Sequence, residues 1–240
     1  MSIKSFKRVE KKYMIDEEQK KELLKILYNH MELDIYCKNE NTYRIQNIYY
    51  DTENNDLISK SINKPSFKQK RRVRKYDTMD DCFLEIKKKS DGVVGKRRIT
   101  LSLQEIDDFI NKRIKPHRTS FIDNSVIGEI EYLLSQYKIV PKVYISYERL
   151  GLFDRENKEL RITFDNHIHT KRNNLEFDKD DYERDLLPEG LYIMEIKSTV
   201  NFPLWLVKEL SRLKIYPHSF SKYGEEYKLL IKEGDLHGIF

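Results

Sequence analysis

The sequence predicts an α+β domain on a largely antiparallel sheet of eight strands, closed into a barrel with helices packed outside. Three observations carry that expectation. Eight segments alternate with the period of a strand, at 6–14, 43–51, 66–76, 81–89, 94–100, 142–150, 159–166 and 191–199. Most connections are too short for parallel crossovers, which need a dozen or more residues. The polar strand faces gather Arg and Lys around single Glu residues, while amphipathic helices are available to cover the apolar faces. A barrel with ions inside and helices outside satisfies all three, and about eight strands leave room for one small ligand.

The helices are punctuated by caps. Asp16 caps a helix running to about Asn29, with Leu23, Leu24 and Leu27 on one side. Thr52 starts a short helix through Leu57 and Ile58. Ser102-Leu103-Gln104-Glu105 is a capping box, followed by Ile106, Phe109 and Ile110 at helical spacing. Segments 124–137, 203–214 and 222–233 read as amphipathic helices. No Gly/Ser/Pro-rich linker interrupts the 240 residues, so a single domain over 1–240 is expected.

Composition sets limits on function. With 45 basic and 40 acidic residues the net charge is only +5, less lopsided than in a simple nucleic-acid binder. Two cysteines, Cys37 and Cys82, without CxxC spacing argue against a disulfide scaffold or structural zinc. The N-terminus lacks the apolar core of a signal peptide, and no apolar run approaches the roughly 20 residues of a membrane span. A cytoplasmic protein is expected. No phosphate-binding P-loop, dinucleotide-binding glycine motif, zinc-protease or nucleophile-elbow motif occurs, and the six histidines form no convincing ligand set.

Residues i and i+2 share a strand face. Lys70, Arg72 and Arg74 therefore share one, as do Glu85 and Lys87, Arg161, Thr163 and Asp165, and Glu195 and Lys197. Leu84, Ile86, Ile162, Phe164, Met194 and Ile196 lie on the opposite faces. Glu-x-Lys recurs on strands at 10–12, 85–87 and 195–197. A half-buried sheet with a solvated polar face would also alternate. The gathering of cations points instead to an anionic ligand. Arg forks pair bidentately with phosphate oxygens, and a lone Glu among cations suits a divalent metal that also binds phosphate.

These segments resemble the VTC domain, the catalytic module of the vacuolar transporter chaperone complex and its bacterial relatives. Those proteins share the triphosphate tunnel fold with CYTH-type triphosphatases and fungal RNA triphosphatases. The resemblance rests on Glu10-Lys11-Lys12-Tyr13, Ile48-Tyr49-Tyr50-Asp51, Arg72-Val73-Arg74-Lys75-Tyr76 and Phe83-Leu84-Glu85-Ile86-Lys87. It continues through Tyr147-Glu148-Arg149, Leu160 to Asp165, Met194 to Lys197 and Phe220-Ser221-Lys222-Tyr223. It implies a polyphosphate polymerase that transfers the γ-phosphate of ATP to polyphosphate with Mn²⁺ or Mg²⁺. The implied phosphate-binding residues are Lys12, Arg72, Arg74, Lys87, Lys96, Arg149, Arg161, Lys197, Ser221 and Lys222, and the implied metal ligand is Glu195. Any membrane partner would be a separate subunit, and no nucleic acid is expected.

One departure separates the chain from the triphosphatases, which begin Glu-x-Glu-x-Lys. Here Arg8 stands where the first Glu would be, which favours the polymerase. The alternatives are a triphosphatase of the same fold and a non-catalytic polyphosphate- or RNA-binding module using Lys68 to Lys75. Stacking aromatics, usual in binders of single-stranded RNA, only flank that run, as Phe67 and Tyr76.

Overall fold

The computed structural model describes residues 9–37, 42–63, 66–90 and 93–234. The element order is β1 (Val9–Asp16), α1 (Glu17–His30), β2 (Met31–Leu33), β3 (Tyr43–Thr52), α2 (Asp56–Asn63), β4 (Phe67–Tyr76), β5 (Cys82–Ser90) and β6 (Val93–Leu101). There follow α3 (Leu103–Asn111), α4 (Phe121–Gln136), β7 (Ile139–Asp154), β8 (Arg161–Lys171), β9 (Arg184–Asp185), β10 (Leu191–Ser198), α5 (Leu204–Arg212) and α6 (Lys222–Lys232).

The capping signals act where the sequence places them. The Asp16 carboxylate accepts from the Gln19 amide while the Gln19 side chain accepts from Asp16 N–H, closing a capping box at α1. Ser102 and Glu105 make the same reciprocal pair at α3. The expected start of α2 at Thr52 is four residues early. The Thr52 hydroxyl accepts from the Asp56 amide, and the Asp51 carboxylate accepts from the amides of Leu57 and Ile58. Those bonds satisfy the orphan donors of the first turn and set the start at Asp56. The short strands β2 and β9 were not expected; three and two residues are too few to show a period.

The sheet runs β1-β10-β8-β7-β3-β4-β5-β6, with β2 added to β7 and β9 to β8. Pairing is antiparallel wherever its register is defined. The α+β class and the antiparallel sheet are as expected. The closed eight-stranded barrel is not: the eight strands form an open path, and no pairing joins β6 to β1 among the described residues. Alternation fixes which side chains share a face. It carries no information about which strand edges meet.

The chain forms two compact units, each assembled from separate stretches. One holds residues up to Arg44, Tyr147–Ile168 and Asp185–Ser221. Its sheet places Tyr13, Ile15, Ile162, Phe164, Met194 and Ile196 on a buried face. The other holds Ile45–Ser146, His169–Arg184 and the chain from Lys222 onward. Its core packs Val73, Leu84, Ile86, Ile99 and Leu101 against Ile106, Phe109 and Ile110 of α3 and Val126, Ile127 and Ile130 of α4. Helices thus cover the apolar face of β4–β6, leaving the opposite face to its polar residues.

Candidate functional site

In the second unit, register gathers the cations predicted from alternation. Lys70 pairs with Lys87 and Lys87 with Lys96, giving three lysines in a row across β4, β5 and β6. The next row is Arg72, Glu85 and Arg98, followed by Arg74, Phe83 and Thr100. These three rows carry six cations and one carboxylate. Like charges directly opposite one another on a sheet are destabilising.

Glu85 is the hub, at 2% exposure. Arg72 Nε donates to Glu85 Oε2 at 2.8 Å and Arg72 Nη2 lies 2.7 Å from the same oxygen. Lys96 Nζ is 2.8 Å from Oε1, and Arg98 reaches it at 4.0 Å. Burial alone would raise the Glu85 pKa; Arg72, Arg74 and Lys96 outweigh it and hold the carboxyl well below the ordinary range. The arginines are also positioned by neutral groups. Arg72 Nη1 donates to the Tyr49 hydroxyl at 3.0 Å, and Arg74 Nε to Asn47 Oδ1 at 3.0 Å. Asn47 is anchored in turn by donating to the Ile145 carbonyl at 3.1 Å. Tyr49 stacks on Tyr223 of α6, whose hydroxyl donates to Asp51 at 3.0 Å. Lys222 is the first residue of α6.

In the first unit the rows are Glu10, Lys197 and Arg161, then Lys12, Glu195 and Thr163. Lys197 Nζ lies 2.8 Å from Glu195 Oε1. Lys12 Nζ donates to the Phe220 carbonyl at 2.9 Å, beside Ser221. Glu10 lies diagonal to Glu195 across β1 and β10, on the same face, and interacts with its carboxyl. Burial pushes the Glu195 pKa up; Lys197, the bond with Glu10 and Lys12 pull it well below the usual range. The all-oxygen pair fits a hard divalent ion completed by phosphate oxygens. Among the described residues no cluster of three or more His, Cys, Asp or Glu offers a metal cage.

Arg149 and Arg161 are held differently. Arg149 is buried, and its Nε and Nη2 donate to both oxygens of Asp165 at 2.7 and 2.8 Å. Burial disfavours its charge, but Asp165 outweighs this and raises its pKa well above the ordinary value. Arg161 Nη2 donates to Asp34 at 2.8 Å, and its guanidinium lies 4.8 Å from the Phe153 ring. Gly151 makes room for that pair: a Cβ there would sit 3.2 Å from Asp34 Cβ and 3.3 Å from its Oδ2.

The structure therefore brings Arg72, Arg74, Lys87 and Lys96 onto one face, and Lys12, Arg161, Glu195 and Lys197 onto another. Sequence reasoning omitted Arg98 and Glu10 from the site. Alternation through Lys96-Arg97-Arg98 and the Glu-x-Lys recurrence at Glu10 were the signals for them. The acceptors Asp34, Asn47 and Tyr49 had no comparable signal, because their partners lie far away in sequence. Arg8 lies outside the described residues.

Antiparallel strands presenting cation-rich faces around Glu85 and Glu195 fit a fold of the CYTH-like, triphosphate tunnel class. Solved structures agree on the fold. A Bacillus halodurans protein described as a "putative adenylate cyclase" matches with a TM-score of 0.52 at 14% identity, covering 89% of this chain and 93% of that one. The similarly described adenylyl cyclase HpAC1 from Hippeastrum, said to have a dominant triphosphatase activity, matches with a TM-score of 0.50 at 18% identity, covering 95% and 97%. No curated protein matches. The VTC domain family matches residues 7–231, and the chain belongs to that family.

Proposed function

We propose that this chain is a polyphosphate polymerase, transferring the γ-phosphate of ATP to the end of a growing polyphosphate chain. The observation that carries the reading is the in-register row Lys70, Lys87 and Lys96 beside Arg72, Arg74 and Arg98, around one buried carboxylate. Such a face attracts a polyanion, and a ladder of cations suits a chain of phosphates better than one.

The acceptor phosphate is already ionised, so no general base is needed. Phosphoryl transfer then depends on positioning and charge neutralisation. Arg74 offers a guanidinium held at Nε by Asn47, and Arg72 contributes charge while its Nε and Nη2 are held by Glu85 and its Nη1 by Tyr49. Lys12, Lys87, Lys96, Lys197 and Lys222 add point charges, Ser221 a hydroxyl, and Arg161 a further guanidinium, held by Asp34. Arg149, with Asp165 filling its fork, supports the strand pair β7–β8 and contributes charge. Glu195, with Glu10 beside it, would hold Mn²⁺ or Mg²⁺. The ion supplies neutralisation of charge developing on the transferred phosphoryl group. A separate membrane subunit is the expected partner.

The carboxylate pair Glu10 and Glu195 favours a second reading, hydrolysis of a triphosphate, in which water replaces phosphate as the nucleophile. The Hippeastrum protein's activity belongs to that reaction type. Two substitutions test the shared machinery. Glu195→Gln should keep tripolyphosphate binding and lose about 100-fold or more in metal-dependent turnover. Arg74→Ala should weaken both binding and turnover by about 10–100-fold, the worth of a charged hydrogen bond. A folded Glu195→Gln protein with normal turnover would remove Glu195 from the mechanism.

A further inference from the structure

The cation ladder of β4–β6 continues past the row of Lys70, Lys87 and Lys96. One row further along, Lys68 of β4 stands opposite Lys89 of β5, on the same face by alternation. Rows on one face are about 7 Å apart along the strand, so Lys68 stands about 13 Å from Arg72. Lys68 is exposed and Lys89 half-buried. Among the described residues neither makes an ion pair.

The two ends of the ladder differ. At the Arg74 end the guanidinium groups are braced by neutral neighbours. Arg74 donates to Asn47 and the Tyr76 hydroxyl, and Arg98 lies 4.2 Å from the Phe83 ring, which meets Tyr76 edge-on. At the other end the cations are all lysines, and neither the row of Lys68 and Lys89 nor that of Lys70, Lys87 and Lys96 contains an acid or an aromatic ring. The covered face of the same strands is built differently. There Lys88 and Arg97 share Glu129 of α4, at 2.9 and 3.7 Å. Like charges directly opposite one another destabilise a sheet, so an anion spanning several rows relieves this end of the ladder. A chain of phosphates spans rows that a single phosphate does not. A single-stranded nucleic acid would call for stacking rings, which these rows lack.

We infer, on the polymerase reading above, that Lys68 and Lys89 form an outer subsite for inorganic polyphosphate, and that the growing chain runs from Arg72 and Arg74 toward this lysine end of β4 and β5. The pair touches chain already made, not the phosphoryl group in transfer. It governs how tightly a long product is held.

The test compares the wild type with Lys68→Gln/Lys89→Gln and with Lys88→Gln/Arg97→Gln, which removes the same charge from the opposite face of the same strands. Each is titrated with tripolyphosphate, long-chain polyphosphate and an oligouridylate over a range of salt. The outer variant should bind long-chain polyphosphate about 3–10-fold more weakly, the worth of two exposed charge contacts. Its slope of log affinity against log salt should be shallower by about 1.4, or about 0.7 for each lost contact. It should keep the wild-type affinity for tripolyphosphate, and the opposite-face variant should match the wild type throughout. Unchanged long-chain affinity in the outer variant, or an equal loss in the opposite-face variant, would overturn the subsite and leave the polymerase reading standing. An oligouridylate that binds as tightly as long-chain polyphosphate and weakens equally would overturn its assignment to polyphosphate. A wild type that binds neither phosphate chain would overturn the polymerase reading and the subsite together.

Discussion

At the residue scale, two arginines with the same sequence signal have different neighbours. Arg74 is held through Nε by neutral Asn47, leaving the rest of its fork to reach the Tyr76 hydroxyl at 3.4 Å. Arg149 is held through Nε and Nη2 by buried Asp165. Asp165→Asn leaves a buried guanidinium without its counter-charge, which costs about 3–5 kcal/mol. Thermal unfolding should show a Tm lower by about 10 °C. A change of a degree or less would mean that the pair does not hold the strands. Gly151→Ala tests the neighbouring pair more gently. Its Cβ must push Asp34 aside by a few tenths of an ångström, so Arg161-dependent tripolyphosphate affinity should fall while Arg74→Ala behaves as before. Alternation made the strand-borne cations legible. It could not show Asp34 behind Arg161 or Asn47 behind Arg74, since each pair joins residues far apart in sequence.

At the scale of the element, β4–β6 is a sheet whose two faces obey different rules. Its covered face follows apolar packing and was readable from Leu84 and Ile86, with Ile106, Phe109 and Ile110 placed by the capping box at Ser102. Its open face was readable as parity but not as rows, because register depends on turn geometry rather than on period. Glu85 is the only acid among the described residues of that face, and its depressed pKa gives a signed expectation. The folded value lies below the ordinary 4.5, so the stabilisation is fully present above that pH and fades as pH falls through the folded value. Denaturant melts across the acid range should show a steeper loss of stability in the wild type than in Glu85→Gln. At neutral pH, Glu85→Gln should be less stable than the wild type, and tripolyphosphate should restore most of the difference. Matching acid profiles would show that Glu85 is not the charge that holds these cations together.

At the scale of the whole molecule, the antiparallel α+β class, six helices and family were legible in the sequence, and barrel closure was the expectation that strand pairing did not meet. No helix among the described residues is long and apolar enough to cross a membrane. Cys37 and Cys82 are free and buried, and burial pushes the Cys82 thiol up to about 11. A thiol reagent should therefore react slowly with the native protein and count two thiols after unfolding without reductant. A count of zero would place the chain in an oxidising compartment.

The central claim is phosphoryl transfer to phosphate. The most direct measurement follows the label from ATP radiolabelled at the γ-phosphate, with Mn²⁺ and a short polyphosphate primer, resolving polymer from free phosphate. The account predicts ADP release matched by label in lengthening polyphosphate, lost in Glu195→Gln. Label appearing only as inorganic phosphate at the rate of ADP release would contradict it and make the chain a hydrolase.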